Sequence, residues 1–444
     1  MKLAVVVQRY GVEINGGAEL HARYIAEHLG RHADVRVLTT CARDYITWRN
    51  EFPQGEERIN GVPVERFPVT RERETHDFAR RSRRVFEHVH SLQDELNWLD
   101  SEGPLSPALL SRLATSEDEF DFVLLFSIRY HHAYHGARLA ASRAVLVPTA
   151  ERDPALGLAM FPPVLRGVRA LMYNSEEERA LIHGIANNEH VPSVVVGVGS
   201  ELPPDASGER ARQTFDLPGP YIVYVGRIDA NKGFPELFSH FGRYLSQSDR
   251  DLTLVLIGTP VVEIPKHPRI RHLGFVSDRD KFDVIAGSEA LVMPSYFESL
   301  SMVALEAWAL GRPVIANAQC DVLVGQCLRS GAGLYYQNAE EFAGVLDALL
   351  DNTALAAELG TRGRRYFEQH YSWPVIEHAY LDMLARLSSE PSSSSIEAIP
   401  GWLARRRRDR RPASEVIAAL PTGPVQPHRN LPESNRSEGS QGRL

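Results

Sequence analysis

Residues 296–310 read Tyr-Phe-Glu-Ser-Leu-Ser-Met-Val-Ala-Leu-Glu-Ala-Trp-Ala-Leu, and the rest of the chain is organised around them. An apolar run, Ala290 to Met293, precedes them and is closed by Pro294-Ser295. This predicts a buried strand, a loop and then a helix. Two carboxylates, Glu298 and Glu306, have seven residues between them. Glu298 is expected in the loop or first helical turn and Glu306 about two turns deeper, so that both face one ligand. The amides of Ser299, Leu300 and Ser301 fall near the helix N-terminus, where unpaired N–H groups receive anions and hydroxyls. The plainer reading makes both glutamates helix-surface groups, one of them complementing the helix dipole.

Working outward, the surrounding half of the chain alternates strand and helix. Residues 221–225 read as a strand, followed by Gly226-Arg227-Ile228-Asp229-Ala230-Asn231-Lys232-Gly233. A helix (235–245), strands (252–257 and 270–275) and a helix opened by Ser277 with Asp280 come next. Beyond the central stretch lie a strand (313–316), a turn at Gly331-Ala332-Gly333 and a helix (339–350). Arg227 and Lys232 both sit in the loop leaving a strand's carboxyl end. Two cations there neutralise a departing diphosphate; the alternative is a solvent-exposed charged loop. Asp249-x-Asp251 and Asp278-x-Asp280 imitate a metal-binding pair but fall in surface-like turns, so no metal is expected at them.

The first half repeats the alternation. Residues 3–7 are a strand, a polar loop leads to Gly16-Gly17-Ala18-Glu19, and Leu20, Tyr24, Ile25 and Leu29 share one helical face before a strand at 35–38. This is a βαβ unit. Its glycines let backbone amides approach a phosphate or sugar, or else make a tight turn with no ligand. Residues 71–119 are charged and mostly helical in pattern. Arg80, Arg81, Arg83 and Arg84 stand beside Phe78, Val85, Phe86 and Val89, either a basic amphipathic helix for an anionic surface or a solvated face. The strand 120–128 ends at Arg129-Tyr130-His131-His132. Ligands of open α/β sheets lie beyond such ends. Adjacent histidines face opposite ways, so one of the pair is a site candidate. Ser175 with Glu178 makes a capping-box pattern. Residues 197–216 read as a Gly/Pro/polar linker, and Pro374 in Tyr371-Ser372-Trp373-Pro374 kinks or restarts a helix. From Ser389 on, nine arginines stand against six acidic residues, with four serines at 392–395 and four arginines at 405–408. That composition predicts a disordered tail with one short helix at 414–420.

The bulk properties narrow the class. The 444 residues, 43% hydrophobic and 24% charged, make two to three globular domains. A net charge of -8 argues against a dedicated nucleic-acid binder. Cys41, Cys320 and Cys327 have neither disulfide-framework nor zinc spacing, which suits a reducing cytoplasm. The N-terminus is too short for a signal-peptide core and no run has transmembrane length.

Taken together the motifs resemble the family 4 retaining glycosyltransferases of the GT-B fold. The resemblance rests on Gly16-Gly17-Ala18-Glu19, Gly226-Arg227 with Lys232-Gly233, and Pro294-Ser295 with Glu298 and Glu306. It also rests on the run Ala307 to Val314 and on the interrupted helix at Trp373. It covers residues 1–387 and is most specific in the second half. It implies two Rossmann-like domains, 1–200 on the acceptor side and 201–372 holding a nucleotide-sugar. A helix at 373–388 would cross back to the first domain, and the tail would be 389–444. Arg227 and Lys232 would hold the donor diphosphate, Glu306 the ribose hydroxyls and Glu298 the donor sugar. The amides of Ser299, Leu300 and Ser301 would meet sugar or phosphate. Gly16 and Gly17 would close over the phosphates, and His131 or His132 would lie by the donor sugar. Relatives often carry glycine at the positions of Ser299 and Ser301.

The expected reaction moves a hexosyl group from a UDP- or GDP-linked donor to a glycan or lipid-linked acceptor with retention of configuration. It needs no cofactor and no metal, and the leaving phosphate itself takes the acceptor proton. The expected setting is the cytoplasm, peripheral to the inner face of the membrane through basic segments, in cell-surface polysaccharide or glycoconjugate synthesis. The competing readings are an epimerase or hydrolase on the same fold, a non-catalytic nucleotide-sugar binder, and a dehydrogenase. The last is disfavoured because Gly-x-Gly-x-x-Gly with a downstream acid is missing from the first βα turn.

Overall fold

The computed structural model describes residues 1–392, 394–399 and 413–420. One compact unit runs from Met1 to Glu397, and the short helix Ala413–Ala418 belongs to a second. The arginines at 405–408 and residues 421–444, where tail disorder was expected, lie outside the described residues.

The first unit contains two sheets. Across the first, the strands run Gly55–Ile59, Val62–Phe67, Asp34–Thr40, Lys2–Val6, Phe122–Phe126, Ala144–Val147, Ala170–Tyr173, Ser193–Val195. Across the second they run Ile270–Gly274, Thr253–Ile257, Tyr221–Val225, Ala290–Met293, Val314–Asn317, Gly333–Tyr336. All pairings are parallel except Gly55–Ile59 with Val62–Phe67. Parallel strands are covered on both faces, which is why their sequences are unbroken apolar runs: every residue of Phe122–Phe126, Tyr221–Val225 and Ala290–Met293 is buried. Both sheets have the doubly wound order of a Rossmann fold, and the GT-B architecture is thereby present. The order reverses between Lys2–Val6 and Phe122–Phe126, and again between Tyr221–Val225 and Ala290–Met293. Loops at such switch points carry ligand sites. They are the loops bearing Gly16, His131, Lys232 and Glu298.

The chain returns to its first half at the end. The helix Thr353–His370 stops, and Trp373–Ser389 begins with Pro374 in its first turn, where a missing N–H costs nothing. Pro374 therefore restarts rather than kinks. Trp373 stacks on His28 of the helix Gly17–Leu29 with ring centroids 3.5 Å apart. Tyr380 meets His21 at 3.2 Å, and Glu377 meets His28 Nδ1 at 2.6 Å. Residues 394–397 also lie against the first half, with Arg138 donating to the Glu397 carbonyl at 2.6 Å.

Several expectations are corrected. The linker 197–216 contains a helix, Gly208–Phe215, capped by Ser207 and tied to the helix Asp278–Gly287 by Arg210 and Asp283 at 2.7 Å. Only Ala211 of it is buried, so its sequence carried no apolar stripe. The hairpin Gly55–Ile59/Val62–Phe67 was not foreseen, because its outer strand is polar on both faces. The basic segment forms the helix Thr75–Glu87. Its Phe78 and Phe86 pack on Trp98 of the helix Leu92–Glu102, Arg81 bonds Asp77 at 2.6 Å, and Arg84 pairs with Asp94 at 3.5 Å. Much of the apolar side expected to meet lipid is occupied within the protein. Ser175 does cap the helix Glu176–Ala186, but the Glu178 carboxylate does not return to the cap amide; it accepts from the amides of Asn174 and Ala150, both at 2.5 Å. No helix among the described residues is long and apolar enough to cross a membrane, and all three cysteines are buried free thiols.

Candidate active site

Lys232 ends a short turn of 3-10 helix, Ala230–Lys232, after the strand Tyr221–Val225, and Gly233 follows with φ 77. A Cβ on Gly233 would fall 2.1 Å from the Pro294 carbonyl oxygen, so only glycine lets the two loops touch. That contact sets Lys232 against Glu298: Nζ donates to Oε1 at 2.7 Å. Burial alone would depress the ammonium, but the charges of Glu298 and Glu151 outweigh it and raise the Lys232 pKa above its ordinary value.

Arg227 reaches out of the same loop. It pairs with Asp229 at 2.6 Å and donates to the Tyr45 hydroxyl, on the first-sheet side, at 2.7 Å. The cation thus spans the cleft between the sheets.

Glu306 sits in the helix Met302–Ala309, 3% exposed. Its Oε1 accepts from Lys281 Nζ at 2.9 Å, while Oε2 is buried with no partner among the described residues. Burial raises its pKa against the opposing Lys281. An unpartnered buried carboxylate oxygen is an open acceptor for a ligand hydroxyl. Tyr24 faces this group from the first half; burial, with the Glu306 charge adding, pushes its phenol up to about 12. Glu298 and Glu306 are therefore each held by a separate lysine.

Between them, Ser299 accepts from Asn174 Nδ2 at 3.4 Å, and the Leu300 carbonyl accepts from Gln326 Nε2 at 2.5 Å. Ser301, the N-cap, has φ 67, and its buried Oγ has no partner among the described residues. This left-handed backbone is one that glycine adopts without strain. Across the cleft, Gly17 opens its helix with free space over it. A Cβ on Gly16 would fall 2.2 Å from the Glu19 carboxylate, which is bonded to Arg9 at 2.6 Å. A side chain at Gly16 would displace that carboxylate from its present position, so the glycine suits the ion pair as well as a ligand above it.

His131 is packed among groups of its own half. Its Nε2 lies 3.7 Å from Asp100, and its ring lies beside His135 with centroids 4.5 Å apart. These partners belong to the first half, not to the cluster around Lys232. His132 is fixed by the Phe126 carbonyl at 3.1 Å from its Nε2. Both imidazoles are depressed by burial, His132 to about 4 and His131 well below its ordinary value. Both residues begin a helix rather than extend a strand, so they do not point to opposite sides, and both are buried.

Two charged groups escaped the sequence. Glu151 follows the strand Ala144–Val147, and burial pushes its carboxyl up to about 7, with Lys232 opposing and Glu298 and Asp153 adding. Its only signal was its place beyond a strand's carboxyl end. Lys281 gave none, since nothing local ties it to Glu306. A cavity of about 360 Å³ opens here, lined by Ala150, Glu178 and Leu181 from one half and Phe297, Glu298 and Cys320 from the other. Two cations, a helix N-terminus and two held carboxylates suit a ligand that is anionic at one end and hydroxyl-rich at the other.

Comparison with known proteins bears on the family and the fold. Residues 219–352 match the family described as glycosyl transferases group 1. A D-inositol 3-phosphate glycosyltransferase from Jonesia denitrificans is 30% identical over 267 residues, 54% of this chain and 62% of the relative, so the match spans less than two thirds of that relative's length. The fold is shared with sucrose-phosphate synthase from Thermosynechococcus elongatus, at 17% identity and TM-score 0.63 over 87% of this chain and 99% of that one. It is shared equally with HepE from Anabaena, solved with UDP and glucose, at 16% identity and TM-score 0.62 over 87% of this chain and 100% of that one. The resemblance read from the sequence to group 1 glycosyltransferases of the GT-B fold is borne out, most directly in the second sheet.

Proposed function

We propose that the protein is a retaining glycosyltransferase that moves a hexosyl group from a nucleoside-diphosphate sugar to a hydroxyl of a glycan or lipid-linked acceptor. The observation that carries this reading is the Lys232–Glu298 bond of 2.7 Å at the loop junction beside Arg227. The donor diphosphate lies against Arg227, Lys232 and the amides at 299–301. The open Oε2 of Glu306 takes a ribose hydroxyl, and Glu298 takes a hydroxyl of the donor sugar. The acceptor oxygen attacks the anomeric carbon on the face the diphosphate leaves. The C–O bond to phosphate breaks, its electron pair stays on the diphosphate, and a phosphate oxygen takes the acceptor proton. The two cations stabilise the charge that develops on the leaving group. The chemistry requires no metal. The donor is UDP- or GDP-linked; HepE was solved with UDP and with UDP-glucose. The setting we infer is cytoplasmic, at the inner face of the membrane when the acceptor is lipid-linked, in polysaccharide or glycoconjugate synthesis.

The test is incubation with a panel of UDP-, GDP- and ADP-sugars and mixed acceptors. Nucleoside diphosphate release is measured, and product configuration is read by NMR. Acceptor-dependent release with a retained anomer is expected. Release without acceptor would mark a hydrolase, and an inverted product would overturn the retaining mechanism.

A further inference from the structure

Away from the Lys232 cluster, three metal-ligating side chains converge in the first half. His131 and His135 lie one turn apart on the helix His131–Leu139, hence on one face. The helix Leu92–Glu102 sets Asp100 against them. One ligand atom from each of Asp100, His131 and His135 lies within 4.8 Å of the other two. The separation of 3.7 Å between His131 Nε2 and Asp100 Oδ1 is too long for a hydrogen bond. It is close to the edge of a tetrahedron around zinc, about 3.4 Å for bonds of about 2.0–2.1 Å. His131 is 5% exposed, and its other nitrogen, Nδ1, is buried without a partner among the described residues. A neutral imidazole offers one ring-nitrogen lone pair to an ion, and here a second imidazole and a carboxylate stand beside it.

We propose that Asp100, His131 and His135 bind one divalent ion of the zinc class. Two imidazoles and one carboxylate favour zinc over magnesium or calcium, and three protein ligands leave a fourth position for water. Two guanidiniums oppose the ion's charge: Arg138 acts on His135, and Arg71 acts on His131 and donates to the Asp100 backbone carbonyl at 3.2 Å. The ion would clamp the helix carrying Asp100 to the helix that follows the strand Phe122–Phe126. The connecting loop is already held to the first of these helices by Arg129 and Glu102 at 2.6 Å. This bracing role is independent of the proposed glycosyl transfer and takes no part in the diphosphate chemistry.

The test uses the untagged full chain, stripped with a chelator and titrated with Co²⁺ and then Zn²⁺. One Co²⁺ per chain with the absorption of a tetrahedral site is expected, displaced by Zn²⁺. Zn²⁺ should also raise the melting temperature where Mg²⁺ does not. His135→Gln changes a half-buried side chain and should lose both responses. Asp100→Asn supplies a second variant with the same expected loss should the first fail to fold. Absence of stoichiometric binding in the parent chain would overturn the site. So would equal binding in the variants, since the ion would then sit on other side chains.

Discussion

Lys232 Nζ lies 2.7 Å from Glu298 Oε1, joining the loops that leave two neighbouring strands of the second sheet. Removing the cation takes away leaving-group stabilisation, whereas Glu298→Gln keeps shape and loses charge. Lys232→Ala should lower kcat/KM at least about 100-fold, the scale of one lost transition-state donor. Glu298→Gln should also abolish most transfer, with circular dichroism unchanged in both. Full activity in either variant would remove that residue from the mechanism.

Glu151 gives the site a pH dependence. Its carboxyl titrates at about 7 and, once ionised, places negative charge beside Lys232 and Glu298. Nucleoside diphosphate affinity should therefore fall as pH rises through 7. Isothermal titration across pH 6 to 8 should show this decline in the parent chain and a flatter profile in Glu151→Gln.

Ser301 holds φ 67 with a buried, unpartnered hydroxyl. Replacing it with glycine relieves the left-handed strain and deletes the orphan group. Ser301→Gly should stabilise the fold by about 1 kcal/mol in urea unfolding. A destabilised variant would show that the serine makes a bond in solution that offsets the strain.

Two buried groups shape stability against pH. Burial holds His21 down to about 3, so its contribution is present above its ordinary 6.5 and is lost as pH falls below that. Burial pushes Glu178 up to about 8, so its contribution is present below its ordinary 4.5 and is lost as pH rises toward 8. Between 4.5 and 6.5 the two slopes oppose each other; above 6.5 the Glu178 slope runs on toward 8, with the Glu151 slope of the same sign beside it until about 7. Melting temperature should decline from pH 6.5 to 8, and Glu178→Gln should flatten that decline, most clearly above pH 7 where the Glu151 slope has ended.

The helix Trp373–Ser389 ends before the segment that rests on the first half. Arg169 donates to the carbonyls of Leu387 and Glu390 at 2.7 Å each, and Arg138 donates to the Glu397 carbonyl at 2.6 Å. A chain ending at Ser389 should melt below one ending at Glu397. Equal melting temperatures would show that residues 390–397 contribute nothing to the fold.

What the sequence disclosed followed from how locally each feature is encoded. The second sheet was legible because its central strands are buried on both faces and its loops carry glycines at forced contacts, as Gly233 shows against Pro294. Glu298, Lys232 and Glu306 were found through their loops and helix. Lys281 was not, because its bond to Glu306 joins two helices that share no local pattern. The polar outer strand Gly55–Ile59 has no period to read. His131 was placed by the rule for strand ends, but the chain turns helical at that residue and carries the ring toward Asp100.

In the proposed function the loops around Lys232 and Glu298 receive a nucleoside diphosphate. Isothermal titration and thermal shift of the parent chain against UDP, GDP and ADP test it most directly. One base should bind best and, at about 100 times its Kd, stabilise the fold by about 2.7 kcal/mol; Lys232→Ala should lose that response. If none of the three binds, or if Lys232→Ala binds as tightly as the parent, the site is not a donor site.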